Sequence, residues 1–130
     1  MLVKRKPLLK GTVVPFPSFI EPMLCTLIEE VKNDGHFIYE VKWDGYRISA
    51  YVRDGKVSLK TRSALDYSKR YPAVKEALQK LNLDVVLDGE VVVLNDEGKH
   101  DFTLLQNYQK TKEGTIVYYV FDILWLYSWI

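Results

Sequence analysis

The stretch of sequence that decides the fold is YRISAYVRDGKVSLK, residues 46–60. Its first half alternates between apolar and polar side chains, which is the two-residue period of a β-strand that buries one face. The dipeptide Asp54-Gly55 is typical of a tight hairpin turn, and the alternation resumes at Val57 and Leu59. The stretch therefore predicts two antiparallel strands joined by a short turn.

Apolar spacing and turn residues predict the remaining elements in the same way. Proline at a helix start and apolar residues at helical spacing mark the helices, whereas branched and aromatic runs mark the strands. The predicted elements are a helix over 25–32, a strand over 37–42, a helix from Pro72 to about Asn82 with an apolar stripe of Val74, Ala77, Leu78 and Leu81, a strand over 85–94 interrupted at Gly89, a short helix over 102–108 and a strand over 115–126. This order predicts an α+β fold, with two or three helices packed on a largely antiparallel twisted sheet.

The start of the chain differs in composition from the remainder. Four of its five prolines lie at positions 7, 15, 17 and 22, with Gly11 between them. Proline lacks the backbone donor that a helix or a central strand requires. We therefore expect an extended arm over residues 1–22 and a folded domain over residues 23–130.

Overall composition is that of a globular protein with one core. Of the 130 residues, 48% are hydrophobic and 27% are charged, and the formal net charge is only +1. No run approaches the roughly 20 apolar residues that span a bilayer, and the first residues lack a secretory signal, so we expect a cytoplasmic protein without a membrane partner. Cys25 is the single cysteine and is interpreted as a buried, inert thiol, because one chain can build no disulfide from it.

A candidate for covalent chemistry lies just before the predicted hairpin. Lys42 stands between the carboxylates of Glu40 and Asp44, and Gly45 and Arg47 follow. A lysine amine is a nucleophile only when unprotonated, so its ordinary pKa of about 10.4 must fall in the site. The carboxylates alone would raise that pKa. Something positive must therefore join the carboxylates to lower the pKa. A magnesium-bound triphosphate is the natural candidate, because the metal changes the local charge balance.

Four short elements occur in a fixed order along the chain. They are EVKWDGYR at 40–47, TRS at 61–63, DGE at 88–90 and FD at 121–122. This order resembles the ATP-dependent DNA ligases, and in particular the ligase module of bacterial end-joining enzymes. The resemblance covers residues from about 22 to 126, and four spaced elements are far more specific than a lone Lys-x-Asp-Gly.

The resemblance implies a fold, an activity and partners. It implies the N-terminal part of an adenylation domain, with the nucleotidyltransferase fold of DNA ligases and capping enzymes. Lys42 would attack the α-phosphate of ATP, form a covalent lysyl-AMP and release pyrophosphate. The AMP would then activate the 5′-phosphate of nicked or broken duplex DNA, and a 3′-hydroxyl would displace it during DNA repair and recombination. The implied cofactors are ATP and Mg²⁺.

The resemblance also implies roles for five other residues. Each role suits the chemistry of its side chain, since carboxylates accept from amines or bind magnesium, guanidinium groups donate several bonds and aromatic rings stack on bases. Glu40 would contact the adenine amino group, Arg47 and Arg62 the ribose and phosphates, Phe121 the adenine ring, and Glu90 the ribose and the metal.

Simpler interpretations exist for the same residues. Taken alone, Lys42 fits a lysine on a strand surface, Phe121 fits core packing, and the two arginines fit solvated charges at a sheet edge. Asp44 and Asp88 each precede a glycine, and such aspartates usually bond to the backbone of their own turn. Both histidines lack a spaced partner for metal binding and are predicted to lie on the surface.

The family has further elements that this sequence does not contain. They are a later Glu-Gly metal contact, a Lys-x-Lys strand that grips the phosphates and an OB-fold domain. We therefore expect this chain alone to seal nicks weakly or not at all, and to self-associate through an exposed C-terminal strand and the tail at 125–130. Two alternatives stay open, a noncatalytic ATP- or DNA-binding fragment and an RNA ligase or capping-type nucleotidyltransferase.

Overall fold

The structure is a computed structural model and describes residues 11–30, 35–36 and 38–127. The four strands form one antiparallel sheet in the order β2-β1-β3-β4. The predicted α+β fold is confirmed, and the described residues contain two helices, neither long and apolar enough to cross a membrane. The elements are β1 (Tyr46–Arg53), β2 (Lys56–Thr61), α1 (Pro72–Gln79), β3 (Val85–Leu94), α2 (Phe102–Thr111) and β4 (Thr115–Leu126).

The predicted hairpin joins β1 to β2. Arg53 pairs with Lys56 across the turn, and Asp54 and Gly55 have φ angles of 49° and 72°. Two consecutive positive φ angles match the turn whose twist suits a two-residue hairpin, and Asp and Gly tolerate them well. Local sequence alone therefore determines this part of the sheet.

One face of the sheet carries the main hydrophobic core, under both helices. Helix α1 buries Val74 and Leu78, but Ala77 and Leu81 are exposed, so only half of the predicted apolar stripe is core. Helix α2 buries Leu105 and extends beyond the predicted range to Thr111. Its start is fixed because the Asp101 side chain accepts a hydrogen bond of 3.0 Å from the Leu104 backbone N–H. The strands contribute Ile48, Ala50, Val52, Leu59, Val85, Val91 and Val93 to this core.

A smaller cluster on the opposite face is covered by the chain that precedes the sheet. Tyr51, Val86 and Trp125 form it, and the Phe16 ring meets the Trp125 ring edge-on with centroids 5.0 Å apart. The Trp125 indole N–H also donates to the carbonyl oxygen of Val14 at 3.1 Å. Residues 14–20 thus lie across this face of the sheet and cover the smaller cluster.

The tail that was expected to mediate self-association is only partly described. Trp125 is 5% exposed, so it is already buried within its own chain and the expectation is wrong for this residue. Its burial follows from the edge-on packing and indole hydrogen bond described above. Residues 128–130 lie outside the described residues.

Three predictions made for the chain ahead of β1 are also wrong. Residues 25–30 contain no helix, and Leu27 and Ile28 are exposed, so the short periodic pattern finds no apolar surface to pack against. The remainder of that predicted helix, residues 31–32, and the first residue of the predicted strand over 37–42 lie outside the described residues. Residues 38–42 form no strand. Cys25 is exposed rather than buried, since it belongs to this irregular segment.

Tyr118 on β4 supplies a test of core stability. Its hydroxyl donates to the carbonyl oxygen of Ile48 at 2.7 Å, and burial raises the pKa of the phenol well above its ordinary value. Tyr118→Phe should lower the free energy of unfolding by about 1–2 kcal/mol, because a partly buried carbonyl loses its donor. Chemical denaturation at neutral pH measures this loss, with the exposed Tyr127→Phe as the control that should change little.

The same tyrosine makes stability depend on alkaline pH. A phenol whose pKa is higher in the folded state stabilises the fold fully below its unfolded pKa of about 10, and this contribution is lost as pH rises through the folded value. The stability difference between the wild-type chain and Tyr118→Phe should therefore shrink above about pH 10. A difference that stays constant into strong alkali would contradict this role of the hydroxyl.

Candidate functional site

Arg47 joins three parts of the chain at the start of β1. Its Nε and Nη2 donate to the two carboxylate oxygens of Asp88 at 3.1 and 2.7 Å, and its Nη1 donates to the carbonyl oxygen of Met23 at 2.6 Å. Asp88 is 2% exposed, and the hydrogen bonding to it raises the pKa of Arg47 above its ordinary value. Such a bidentate, charge-assisted pair fixes the guanidinium plane. The arginine therefore forms a rigid wall between β1, β3 and the preceding segment.

Residues 88–90 lie inside strand β3 rather than in a turn. The predicted interruption at Gly89 is a β-bulge, with a shift of register against β4 between Asp88 and Gly89. A Cβ atom at Gly89 would lie only 2.4 Å from the carbonyl oxygen of Tyr119, so only glycine fits there. The interpretation of Asp88 as an aspartate bonded to its own turn is wrong, because its carboxylate is bonded to Arg47.

Glu90 lies between two strands, and the charge of Lys42 acts on its carboxyl group. It pairs in register with Arg47 on β1 and with Tyr119 on β4. Burial raises the pKa of the Glu90 carboxyl, while a hydrogen bond from the Gly45 backbone N–H and the positive charges of Lys42 and Arg47 oppose the rise. The Lys42 amine and the Glu90 carboxylate thus share one electrostatic environment.

Lys42 lies on an irregular segment that contacts the sheet through the residues after it. Lys42 itself is exposed, whereas the neighbouring Trp43 is half-buried and stacks on Tyr119 with ring centroids 4.0 Å apart and planes at 12°. His100, exposed as predicted, meets the Trp43 ring edge-on at 5.9 Å. A Cβ atom at Gly45 would lie 2.1 Å from a backbone oxygen of β3, so the chain passes directly against that strand.

The other three predicted site residues lie around Arg47 and Lys42. Phe121 is 50% exposed, and its ring centroid lies 5.7 Å from the Arg47 guanidinium carbon. Arg62 lines an open pocket of about 350 Å³ together with Arg47, on the β2 side of the guanidinium. Glu40 is exposed on the same irregular segment as Lys42. A larger open pocket of about 600 Å³ lies at the far end of the β1–β2 hairpin and contains none of the predicted site residues.

Comparison with known proteins identifies the family. Residues 22–128 match the family described as ATP dependent DNA ligase domain. The chain belongs to this family. The resemblance found in the sequence is confirmed, and so are the nucleotidyltransferase fold and the association with DNA ligases of end-joining repair.

Individual relatives of this ligase family are longer than the chain. The multifunctional non-homologous end joining protein LigD of Pseudomonas aeruginosa is 41% identical over 115 residues, which are 87% of this chain and 14% of that protein. The SPbeta prophage-derived DNA ligase-like protein LigB of Bacillus subtilis is 34% identical over 113 residues, which are 82% of this chain and 40% of that protein. The chain therefore spans a minor part of each.

A solved structure also matches. The mycobacterial DNA ligase D complexed with ATP and MES superposes with a TM-score of 0.60 at 36% sequence identity, covering 67% of this chain and 29% of that one. The match is with a ligase that was solved with a nucleotide. It supports the assignment of the sheet and its two helices to the nucleotidyltransferase fold.

Within this ligase domain, sequence reasoning missed three contributors to the site. They are the Met23 carbonyl, the Trp43 indole and the Tyr119 ring. A backbone carbonyl has no sequence signature at all. Trp43 belonged to the quoted octet, but its partner lies on a distant strand, and only the pairing of β3 with β4 brings the two rings together.

Proposed function

We propose that this chain performs the first chemical step of ATP-dependent DNA ligation, with Lys42 as the nucleophile. The Nζ atom of the neutral amine forms a bond to the α-phosphorus of ATP and loses a proton to water. The bond from that phosphorus to the bridging oxygen breaks, and pyrophosphate leaves with the electron pair. The observation that carries the proposal is that the charge of Lys42 acts on Glu90, whose strand partner Arg47 lies 5.7 Å from the centre of the Phe121 ring. Residues 23–130 supply this adenylation unit and residues 1–22 an arm.

The nucleotide would bind across the exposed part of this region. The Phe121 ring is half exposed and offers a face to adenine, while Glu40 accepts from its amino group and Arg62 donates to phosphates. Arg47 already uses Nε and one N–H on each Nη for contacts within the chain. Its contribution to the nucleotide is therefore limited to the remaining N–H on each Nη, and its main role is to shape the pocket wall.

Glu90 fits a magnesium ion that is shared with the triphosphate. No group of three or more His, Cys, Asp or Glu that could hold a metal occurs in the part of the chain that the structure describes. Magnesium is usually held by one or two carboxylates together with phosphate oxygens and waters. Glu90 supplies one such carboxylate, whereas Asp88 is occupied by Arg47. When bound, the metal would neutralise charge on the phosphates as pyrophosphate departs.

Glu90→Gln should lower the rate of lysyl-AMP formation by about ten- to a hundredfold and weaken its dependence on magnesium concentration. At subsaturating magnesium, the wild-type rate should also fall as pH decreases through the raised pKa of Glu90, because the protonated carboxyl no longer binds the metal. The glutamine variant should lack the part of this acidic limb that comes from Glu90. Rates measured at several magnesium concentrations and pH values provide the test.

The control for this experiment is Glu97→Gln, which removes an exposed carboxylate in the turn after β3. It should leave the rate, the magnesium dependence and the acidic limb unchanged. Retention of the wild-type acidic limb by Glu90→Gln would exclude Glu90 as the titrating group.

The proposed step is tested by incubating the chain with magnesium and ATP that is labelled on either the α- or the γ-phosphate. Only the α-label should stay with the protein. Saturable ATP binding without retained label would instead favour the noncatalytic nucleotide-binding alternative. Transfer of the retained AMP to a nicked duplex with a DNA or an RNA 5′-phosphate end then distinguishes DNA ligation from the RNA alternative.

A further inference from the structure

The backbone that carries Lys42 has no regular secondary structure, and the residue that follows the lysine is packed against the sheet. Residues 38–44 form neither helix nor strand, and the Val41 side chain is 65% exposed. On the C-terminal side of the lysine, Trp43 is half-buried against Tyr119. The contacts of Trp43 therefore help to set the direction of the lysine.

Two other aromatic rings contact the Trp43 ring, although its backbone has no regular secondary structure. It lies flat on Tyr119, with centroids 4.0 Å apart and planes at 12°, and His100 meets its edge at 5.9 Å. His100 forms an isolated bridge to Leu94 at the end of β3. Contacts of this kind add to the stabilisation from area burial, and the flat geometry restricts rotation about the side-chain bonds.

Tyr119 is also the partner of Glu90 across β3 and β4. The stack therefore places Trp43 over the strand neighbour of the proposed metal ligand, while the Gly45 N–H bonds to Glu90 itself. Residues 43 and 45 are both tied to the same two strands. The side chain of Lys42 therefore starts from a backbone whose next residues are fixed against these strands.

We propose that Trp43 and Tyr119 form a positioning pair that aims Lys42 Nζ at the α-phosphate of the bound nucleotide. This inference rests on the proposed function. Neither aromatic residue touches the reacting atoms. Their effect arises because a lysine side chain is long and flexible, and in-line attack on phosphorus loses about a hundredfold in rate for a displacement of about 1 Å.

The pair is tested by replacing each ring with leucine, which keeps apolar bulk but cannot stack. Trp43→Leu and Tyr119→Leu should each lower the maximal rate of lysyl-AMP formation by about ten- to a hundredfold and leave the KM for ATP within about threefold. The double variant should be no slower than about the slower single variant, because one interaction is removed in all three. Trp43→Phe should recover the rate to within about threefold of wild type.

Val41→Leu is the matched control, since it alters the exposed neighbour on the other side of the lysine and should leave the rate unchanged. The positioning role would be refuted if the leucine variants stayed within about twofold of the wild-type rate or raised only KM. Additive losses in the double variant would also refute it.

Hydrogen exchange distinguishes a result against the positioning role of Trp43 and Tyr119 from a result against the proposed function. The Gly45 amide, which donates to Glu90, should exchange about tenfold faster in Trp43→Leu than in wild type, while the amides of β1 and β2 keep their protection. If the wild-type chain retains no AMP, the proposed function fails and the aiming of Lys42 fails with it. If AMP is retained but exchange at Gly45 is unchanged in Trp43→Leu, only the positioning pair is refuted.

Discussion

Lys42→Arg is expected to abolish lysyl-AMP formation, with a loss of at least about a thousandfold. Arginine keeps the positive charge on a side chain of similar length, so electrostatic attraction for the triphosphate is retained. Its guanidinium, however, does not lose a proton in proteins and cannot attack phosphorus. Retention of α-label after gel separation measures the loss directly, and ATP affinity should change little.

The matched control is Lys110→Arg, which makes the same substitution in the last turn of α2, away from the site. It should retain the wild-type yield. A Lys42→Arg chain that still accumulates α-label would show that another residue is the nucleophile and would remove the basis of the proposed chemistry.

Arg47→Gln should lower the free energy of unfolding by about 3 kcal/mol, because it leaves a buried carboxylate without its partner. Asp88 is 2% exposed and receives both guanidinium bonds, so water cannot replace the lost donors. Part of the loss also comes from the Met23 carbonyl, which accepts from the same arginine. Chemical denaturation of both chains measures the difference.

A double-mutant cycle isolates the ion pair from these other contacts. Asp88→Asn removes the charge but keeps the shape, and the Arg47→Gln/Asp88→Asn chain should be more stable than the Arg47→Gln chain. The coupling free energy should be about 1–3 kcal/mol. The exposed pair Lys99 and Glu97, at 2.9 Å, serves as the comparison and should show a coupling near zero. Equal coupling free energies in both pairs would show that the Arg47–Asp88 contact stabilises the fold no more than an exposed ion pair does.

The parts of the fold that were predicted correctly are those encoded by nearby residues. The hairpin follows from an alternating pattern and from Asp54-Gly55, and β4 follows from a long branched and aromatic run at 115–126. In each case the local preference agrees with the final environment. The helix predicted over 25–32 shows the opposite case, since its described part has a helical pattern but no surface on which to pack.

The ligase resemblance was predictable from the sequence, but the contacts between the candidate site residues were not. The four elements identified the ligase resemblance from residue types and order alone. The bidentate bond from Arg47 to Asp88 depends on the register of β1 against β3, and the Asp-Gly pair at 88–89 by itself favours a turn. The stack of Trp43 on Tyr119 likewise depends on distant strand pairing. Contacts of this kind are set by the sheet as a whole, and no local pattern encodes them.

The most direct test of the proposed chemistry is to locate the AMP on the wild-type chain. After incubation with ATP and magnesium, intact mass should increase by one AMP, and peptide mapping should place the modification on Lys42. The adduct should disappear on addition of excess pyrophosphate, because the step is reversible. An adduct on another residue, or saturable ATP binding with no gain in mass, would contradict the account.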